Sequence, residues 1–225
     1  MPSDAPSIDP AVDPALLPAL IAPGRTALLV IDVQEDFCAP QGAAGRWGVD
    51  LGRFEAPLGR IQALIGAARA ASATIVFVRV ISSPETDSTA LRALHAAKGR
   101  PPAALAVCRA GTPGARYYQV GPEPGDLEIE KRLYSSFAGT DLDTQLRGRG
   151  IDTLLVTGFT TECCVDSTIR DAFHRDYHCV LVADACAAYE PALHDGALAA
   201  LSKNCALLTG TGDVLVAWQA DVRGS

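Results

Sequence analysis

The sequence predicts an α/β fold, a three-layer, doubly wound domain in which six parallel strands form one sheet with helices on both faces. Short apolar runs rich in β-branched residues recur along the chain, which is typical of strands buried on both faces. Segments with the apolar spacing of helices separate most of these runs. The 225 residues, of which 48% are hydrophobic and 20% charged, are enough for one globular domain of this kind.

Charge and composition exclude several classes of function. The formal net charge is −7 and there is no Lys/Arg-rich run, so we expect neither nucleic acid nor a membrane as a partner. No apolar run reaches the roughly 18 residues of a transmembrane helix. The Pro-rich residues 1–24 lack the pattern of a signal peptide. We interpret them as an arm that precedes a single domain over residues 25–225 and packs on its surface or on a neighbouring subunit.

The cysteine content predicts a reducing compartment. The seven cysteines are odd in number and form no CxxC pair. Neither a disulfide framework nor a structural zinc site is therefore expected. The protein is predicted to be cytoplasmic.

The first half of the chain contains two clear strands and a long irregular segment. Thr26–Asp32 (TALLVID) and Thr74–Val80 (TIVFVRV) are continuous apolar runs and predict strands. Between them, apolar residues at helical spacing predict a helix over about 54–71. Residues 81–125 are broken by prolines and glycines, with one short helix expected around 88–98. A long loop of this kind often forms a lid or an interface.

The second half alternates strands and helices. Leu127–Lys131 (LEIEK) predicts a short strand that ends on a charged residue. Thr140, with Asp143 three residues later, predicts the start of a helix that ends at Gly148 or Gly150. The remaining predicted elements are, in order, a strand over 154–157, a helix over 165–173, a strand over Cys179–Ala183, a helix over Pro191–Lys203, a strand over Cys205–Thr209 and a helix over Val214–Ala220.

The stretch from Leu154 to Thr168 is the most informative part of the sequence. An apolar strand stops at Gly158, and a helix follows whose start holds Cys163 and Cys164. Unpaired amides and the helix dipole lower the pKa of a thiol at that position. Two small core residues would give the same pattern, so this stretch alone leaves both interpretations open.

Three predicted strand ends carry reactive side chains, namely Asp32, Lys131 and Cys164. In an open parallel sheet these ends line one crevice. A thiolate can attack a carbonyl carbon there, a carboxylate can carry the proton, and an ammonium can hold the carboxylate in place. Amides of the turn over 159–164 can stabilise the oxyanion. An Asp–Lys pair at strand ends can also be a plain salt bridge.

Three segments resemble the signature motifs of the isochorismatase-like cysteine hydrolases: Asp32 within IDVQEDF, Lys131 within EKRLYSSF and Cys164 within GFTTECCVDSTIRDAF. The resemblance runs from about residue 26 to 209. It implies an Asp-Lys-Cys triad on a six-stranded parallel sheet. It places the nucleophile directly before Val165, which selects Cys164, and makes the backbone N–H groups of Thr160 and Cys164 the oxyanion donors.

The same resemblance implies further features. A cis peptide bond is expected between Phe159 and Thr160, and a homo-oligomer, most simply a tetramer, is expected because the family forms dimers and tetramers. The nicotinamidase branch holds a metal with an Asp-x-His pair that is absent here, where His95 stands alone. We therefore predict no catalytic metal, and no other cofactor is implied.

The presence of Cys164 argues for cleavage of a C–N bond, since isochorismatases that cleave vinyl ethers often lack this cysteine. The segment around Cys164 looks most like enzymes that act on biuret, triuret, ureidoacrylate or N-carbamoylsarcosine. The match implies that Phe37 and Phe137 form apolar walls around a small planar substrate. Asn204, aligned with a glutamine of biuret hydrolases, is implied to bind substrate and to leave room for a longer ureide such as triuret.

Alternatives stay open beside a triuret- or biuret-like substrate. Ureidoacrylate or N-carbamoyl amino acids fit the same chemistry, and a non-catalytic member of the family would only bind a ligand or a partner protein. His194 is the only histidine expected to approach the pocket. A partly buried structural histidine is the preferred interpretation of that residue.

Overall fold

The structure, a computed structural model, describes residues 8–224, with side chains described for residues 8–219. Its strands are β1 (Thr26–Ile31), β2 (Thr74–Val80), β3 (Leu127–Lys131), β4 (Thr153–Phe159), β5 (His178–Ala187) and β6 (Leu207–Thr209). All pair in parallel in the order β3-β2-β1-β4-β5-β6, which confirms the predicted six-stranded sheet. Strands β1, β2 and β3 follow one another toward one edge of the sheet, and β4, β5 and β6 follow one another toward the other edge. Doubly wound sheets bind ligands at the boundary between two such halves, here between β1 and β4.

The structure has helices at the six predicted positions and three further helices of four residues each before residue 50, which were not predicted. In chain order the helices are α1 (Leu17–Leu20), α2 (Glu35–Cys38), α3 (Ala43–Arg46), α4 (Gly52–Ala70), α5 (Thr89–Ala97), α6 (Leu142–Arg147), α7 (Asp166–Phe173), α8 (Pro191–Asn204) and α9 (Thr211–Gly224). The helix predicted to start at Thr140 begins at Leu142, whose amide donates to the hydroxyl of Thr140 at 3.4 Å. Strand β5 continues past its predicted end at Ala183 and pairs with β4 again after a register shift, at which Val156 is opposite Leu181 and Gly158 is opposite Cys186.

Helices cover both faces of the sheet. Helices α1, α4 and α9 pack on one face, where the core includes Leu28, Phe54, Phe77, Leu155 and Trp218. Helices α6, α7 and α8 pack on the other, where Leu29, Leu146, Val156, Ile169 and Leu201 meet. Burial of apolar surface on both faces explains why β1 and β4 are continuous apolar runs.

The described part of the N-terminal arm packs against the chain's own domain. Leu17 and Ile21 are fully buried in the core under α9. The indole Nε1 of Trp218 donates to the carbonyl of Ile21 at 2.9 Å, and the amide of Val12 donates to the carbonyl of Leu208 at 2.8 Å. Residues 1–7 of the predicted arm lie outside the described residues.

The irregular segment between β2 and β3 is tied together where it leaves and rejoins the domain. Ser82 pairs with Arg109 in an isolated bridge, the amide of Ser82 donates to the carbonyl of Cys108, and the amide of Ala110 donates back to Ser82. Residues 83–107 therefore form an excursion with joined ends, which includes α5. In the part of the chain that the structure describes, no helix is both long enough and apolar enough to span a bilayer.

Candidate active site

The ends of three strands bring the predicted reactive side chains together. Asp32 follows β1, Lys131 is the last residue of β3, and Cys164 follows β4. Asp32 has φ of 54°, in the left-handed region that Asp tolerates better than most residues. Its amide donates to the carbonyl of Val78 at 2.9 Å, which holds the turn against β2. The three strands thus deliver their side chains to one edge of the sheet.

Asp32 and Lys131 form a fully buried ion pair. Nζ of Lys131 lies 2.8 Å from Oδ2 of Asp32, and both side chains are inaccessible to solvent. The aligned hydrogen bond of the ammonium goes to the carbonyl of Tyr134. Neither oxygen of Asp32 has an aligned hydrogen-bond donor within residues 8–219. The carboxylate therefore keeps the capacity to accept a proton.

The protonation states follow from burial and from the neighbouring charges. Burial raises the pKa of Asp32, while the attraction of Lys131 acts against this shift. Burial acts to lower the pKa of Lys131, but the attraction of Asp32 and Cys164 outweighs it and the pKa is raised. A hydrogen bond with Cys163, burial and the charge of Asp32 together raise the pKa of the Cys164 thiol well above its usual range.

The sequence left open whether the helix terminus lowers the pKa of this thiol. In the structure, the hydrogen bond with Cys163, burial and the acid beside Cys164 act in the opposite direction and outweigh the helix terminus. A thiol in this state stays protonated until a base removes its proton. Asp32, which contacts both the thiol and Lys131, is placed to be that base.

Cys164 sits in a π-helical turn rather than at a regular helix start. The turn covers Thr161–Val165 and leads directly into α7. The amide of Val165 donates to the carbonyl of Thr160 at 3.2 Å, and the hydroxyl of Thr168 donates to the carbonyl of Cys164 at 2.7 Å. These bonds fix the backbone around the cysteine. Single π-turns of this kind recur at functional sites.

Two backbone amides of the turn are available to a ligand. The N–H groups of Thr160 and Cys164 donate to no acceptor outside this turn among the described residues. The peptide bond between Phe159 and Thr160 is cis, in agreement with the prediction. These are the two amides that the family resemblance assigns to the oxyanion.

Gly158 lets the turn form close to β1. It has φ of +117°, and a Cβ at this position would lie 2.1 Å from the carbonyl oxygen of Ile31. Only glycine combines that conformation with so close an approach of two backbones. The position of the cysteine turn relative to Asp32 therefore depends on this residue.

A cavity of about 320 Å³ opens at this edge of the sheet, and Cys163 and Cys164 line it together with Thr160. The excursion over 83–107 supplies one wall through α5 and the loop that follows it. The irregular segment predicted to be a lid or an interface is thus part of the cavity. A cavity of this volume suits a small molecule.

Two of the three predicted substrate-binding residues lie elsewhere. Phe37 lines the cavity as predicted. Phe137 is wrong as a pocket wall: it is 4% exposed and packs against Tyr177 in the core on the α6–α7 face. Asn204 is also wrong: it is exposed at the end of α8, where its amide donates to the carbonyl of Ala200. Because it precedes a parallel strand, Asn204 lies at the opposite edge of the sheet.

His194 contacts the turn and not the cavity. Its Nδ1 lies 2.8 Å from the hydroxyl of Thr161, and burial lowers its pKa. The structural interpretation of this histidine fits these contacts. Sequence reasoning missed other residues that line the cavity, among them Arg100, Arg132 and Tyr189. Their segments have no periodic pattern that would have placed them there.

The cavity offers few metal ligands. His95 is the histidine that lines it, and the carboxylate of Asp87 beside it is held by Arg109 through contacts of 2.6 and 2.7 Å. Within the described residues, no group of three or more His, Cys, Asp and Glu side chains is arranged to hold a metal ion.

Comparison with known proteins gives a consistent assignment. Residues 26–213 match the family model of the isochorismatase domain. A ureidoacrylate amidohydrolase of Methylobacterium radiotolerans is 35% identical over 188 residues, covering 79% of this chain and 73% of that protein. A cysteine hydrolase structure from Pseudomonas syringae pv. phaseolicola matches with a TM-score of 0.78 and 27% identity, over 97% of this chain and 99% of that one.

The structure of N-carbamoylsarcosine amidase from Thermoplasma acidophilum matches with a TM-score of 0.66 and 28% identity, over 83% of this chain and 96% of that one. The motif resemblance, the sheet order and these relatives agree. The chain belongs to the isochorismatase-like hydrolase family.

Proposed function

We propose that the protein is a cysteine amidohydrolase that cleaves a C–N bond of a small linear ureide or carbamoylated amide through a thioester on Cys164. The observation that carries this proposal is the buried ion pair of Asp32 and Lys131, 2.8 Å apart and close enough to Cys164 that the charge of Asp32 raises the pKa of its thiol. The open amides of Thr160 and Cys164 beside the same sulfur support it.

The proposed reaction has two halves. Asp32 takes the thiol proton, and the thiolate attacks the substrate carbonyl carbon while the amides of Thr160 and Cys164 bind the oxyanion. The tetrahedral intermediate collapses, the C–N bond breaks, and Asp32 gives its proton to the leaving ammonia or amine. Water then attacks the thioester, Asp32 takes a proton from it, and the thiol is restored as the second product leaves. Lys131 keeps a positive charge beside Asp32 throughout.

The substrate class rests on the relatives and on the size of the cavity. The named relatives act on ureidoacrylate and N-carbamoylsarcosine, which are both carbamoylated amines. A cavity of about 320 Å³ is large enough for ureides of that size. The argument for triuret over biuret depended on Asn204, which lies outside the cavity, so both compounds remain test substrates without preference.

The test is ammonia release from a panel of ureidoacrylate, N-carbamoyl amino acids, biuret, triuret and nicotinamide. We expect turnover of at least one carbamoylated compound and none by Cys164→Ser. Mass spectrometry of the intact protein after a rapid quench should show a carbamoyl or acyl adduct on Cys164. No turnover of any compound, combined with slow labelling of Cys164 by iodoacetamide, would instead favour a non-catalytic member that only binds a ligand or a partner.

A further inference from the structure

We propose that Arg100 and Arg132 bind a carboxylate at the far end of the substrate, so that the enzyme selects acidic ureides over neutral ones. This inference rests on the proposed function, because it concerns the same cavity. It is drawn from the balance of charged groups that line that cavity.

The two acidic side chains that line the cavity differ. Both oxygens of Asp87 accept hydrogen bonds from the Arg109 guanidinium, and neither side chain is more than 19% exposed. Glu162 accepts a hydrogen bond from the hydroxyl of Thr160 at 3.1 Å, but it forms no ion pair among the described residues and its Oε2 has no partner there. A bidentate Arg–Asp pair is close to neutral as seen from outside.

The cationic side chains of the cavity are not balanced in this way. Arg100 and Arg132 line it, and both are exposed. Neither forms an ion pair with a carboxylate in the range 8–219, whereas Arg109 and many other arginines of this acidic chain do. Two unpaired arginines face one unpaired carboxylate, that of Glu162, so the formal charge of the lining is positive although the chain as a whole has a formal charge of −7.

His95 extends this group of donors. Nη1 of Arg100 lies 3.3 Å from Nε2 of His95. A guanidinium can only donate, so Nε2 accepts and the ring proton is assigned to Nδ1. That Nδ1 is buried and has no acceptor among the side chains and backbone described. The α5 side of the cavity thus holds the Arg100 guanidinium, and in this tautomer the His95 ring leaves no free acceptor beside it.

A carboxylate complements such a site better than a neutral amide. It has only acceptor oxygens, and its hydrogen bonds to guanidinium groups are stronger than those between neutral partners. The end groups of biuret and triuret carry N–H donors, which the guanidinium groups of Arg100 and Arg132 cannot accept. The charge balance therefore favours a substrate with the ureide at Cys164 and a carboxylate at Arg100 and Arg132.

The test compares two ureas that differ only in the tail. These are 3-ureidopropionate and 1-(3-hydroxypropyl)urea, in which a hydroxymethyl group replaces the carboxylate. Binding is measured by calorimetry to a Cys164→Ser protein, alone and with Arg100→Gln and Arg132→Gln combined. Arg149→Gln is the control for loss of an arginine outside the cavity, since Arg149 is exposed; it removes one positive charge, where the double variant removes two. Turnover of both compounds by the unmodified protein is measured in parallel.

We expect the acid to bind at least 10-fold more tightly than the alcohol. The double substitution should weaken binding of the acid by about 10–100-fold and leave binding of the alcohol unchanged. This is the effect expected when hydrogen bonds to a charged group are lost. The Arg149→Gln control should change neither. Equal binding of the two compounds, or equal losses for both in the double variant, would overturn the carboxylate site.

The two proposals fail in different ways. In one outcome the protein binds the acid selectively but turns over neither compound and none of the wider panel of carbamoylated substrates. That result would support the carboxylate site and reject the proposed hydrolysis. Turnover of acid and alcohol with equal kcat/KM would keep the hydrolysis and reject the carboxylate site.

Discussion

The hydroxyl of Thr161 and Nδ1 of His194 lie 2.8 Å apart and join the cysteine turn to helix α8. Thr161 is fully buried, and burial of the imidazole lowers the pKa of His194. A change of charge on a helix that contacts the turn can therefore be transmitted to the backbone around Cys164.

This contact predicts a pH dependence of stability. The folded-state pKa of His194 lies below the usual value of about 6.5, so between these two values the unfolded chain binds more protons. The free energy of unfolding should fall as the pH drops below about 6.5. In urea titrations at pH 7.5 and 5.5, His194→Gln should lose less stability than the unmodified protein. His174→Gln, a control at an exposed histidine, should lose as much stability as the unmodified protein. An equal loss in His194→Gln would show that His194 is not the source of the pH dependence.

Substitution of the two adjacent cysteines should have very different effects on turnover. Cys164 is buried beside Asp32. Cys163 is half-buried and contacts neither Asp32 nor Lys131. Cys164→Ala and Cys164→Ser should abolish turnover while the far-UV circular dichroism stays unchanged. Cys163→Ala should keep substantial activity. The measurement is ammonia release with the best substrate of the panel, and the reverse pattern would reassign the nucleophile.

Asp32 and Lys131 should act as one unit. Asp32→Asn cannot accept the thiol proton and should lower kcat by about 10²–10⁴-fold. Lys131→Met leaves a buried carboxylate without its partner, so it should lower both activity and stability, the latter by about 3–5 kcal/mol. The losses in activity should not add in the double variant.

Single-turnover kinetics of the two single variants and the double variant measure this coupling. Glu130→Gln, a change at an exposed residue next to Lys131, serves as the control and should leave the single-turnover rate nearly unchanged. Additive losses, or acylation by Asp32→Asn at the unmodified rate, would show that another group activates the thiol.

Gly158 should not tolerate a side chain. Gly158→Ala forces a Cβ to within 2.1 Å of the Ile31 carbonyl oxygen at a positive φ, and the backbone strain alone costs about 1–3 kcal/mol. We expect a lower urea midpoint and a loss of activity larger than the loss of folded protein. Gly66→Ala in α4, where a Cβ meets open space, should be neutral or stabilising by up to about 1 kcal/mol. Equal stability of the two variants would disprove the close approach.

Chelators should leave turnover unchanged. The cavity lining provides one histidine, His95, and the carboxylate of Asp87 is occupied by Arg109. Three ligands of suitable type are the usual minimum for a catalytic zinc site. Dialysis against EDTA followed by assay in metal-free buffer tests this. Inactivation that zinc or iron reverses would overturn it.

The sequence predicted the sheet and the meeting of the three reactive side chains for one physical reason. Parallel strands place their carboxyl ends at a common edge, so residues such as Asp32 and Lys131 could be brought together without knowledge of tertiary contacts. The same rule excludes Asn204, since a residue just before a parallel strand lies at the other edge. The error at that position came from alignment and not from geometry.

Other features had no signal in the sequence. Phe137 lies beyond β3 in a loop whose path under the sheet depends on tertiary packing. The π-helical turn around Cys164 has no characteristic spacing, so its thiol was expected at an ordinary helix start. Arg100 reaches the cavity only because the irregular chain after α5 folds back over it.

The 83–107 excursion, whose ends are joined, places one wall of the cavity in a different segment of the chain from the three reactive side chains. The hydrogen bonds between Ser82 and its partners Cys108 and Ala110 close the excursion at its base, while the acid, the ammonium and the thiol all lie outside it. His95 and Arg100 lie within it, whereas Arg132 lies outside it, directly after Lys131. Exchange of this one contiguous piece, by recombination or by grafting from a relative, can therefore change one half of the proposed carboxylate site while the sheet and the nucleophile keep their geometry.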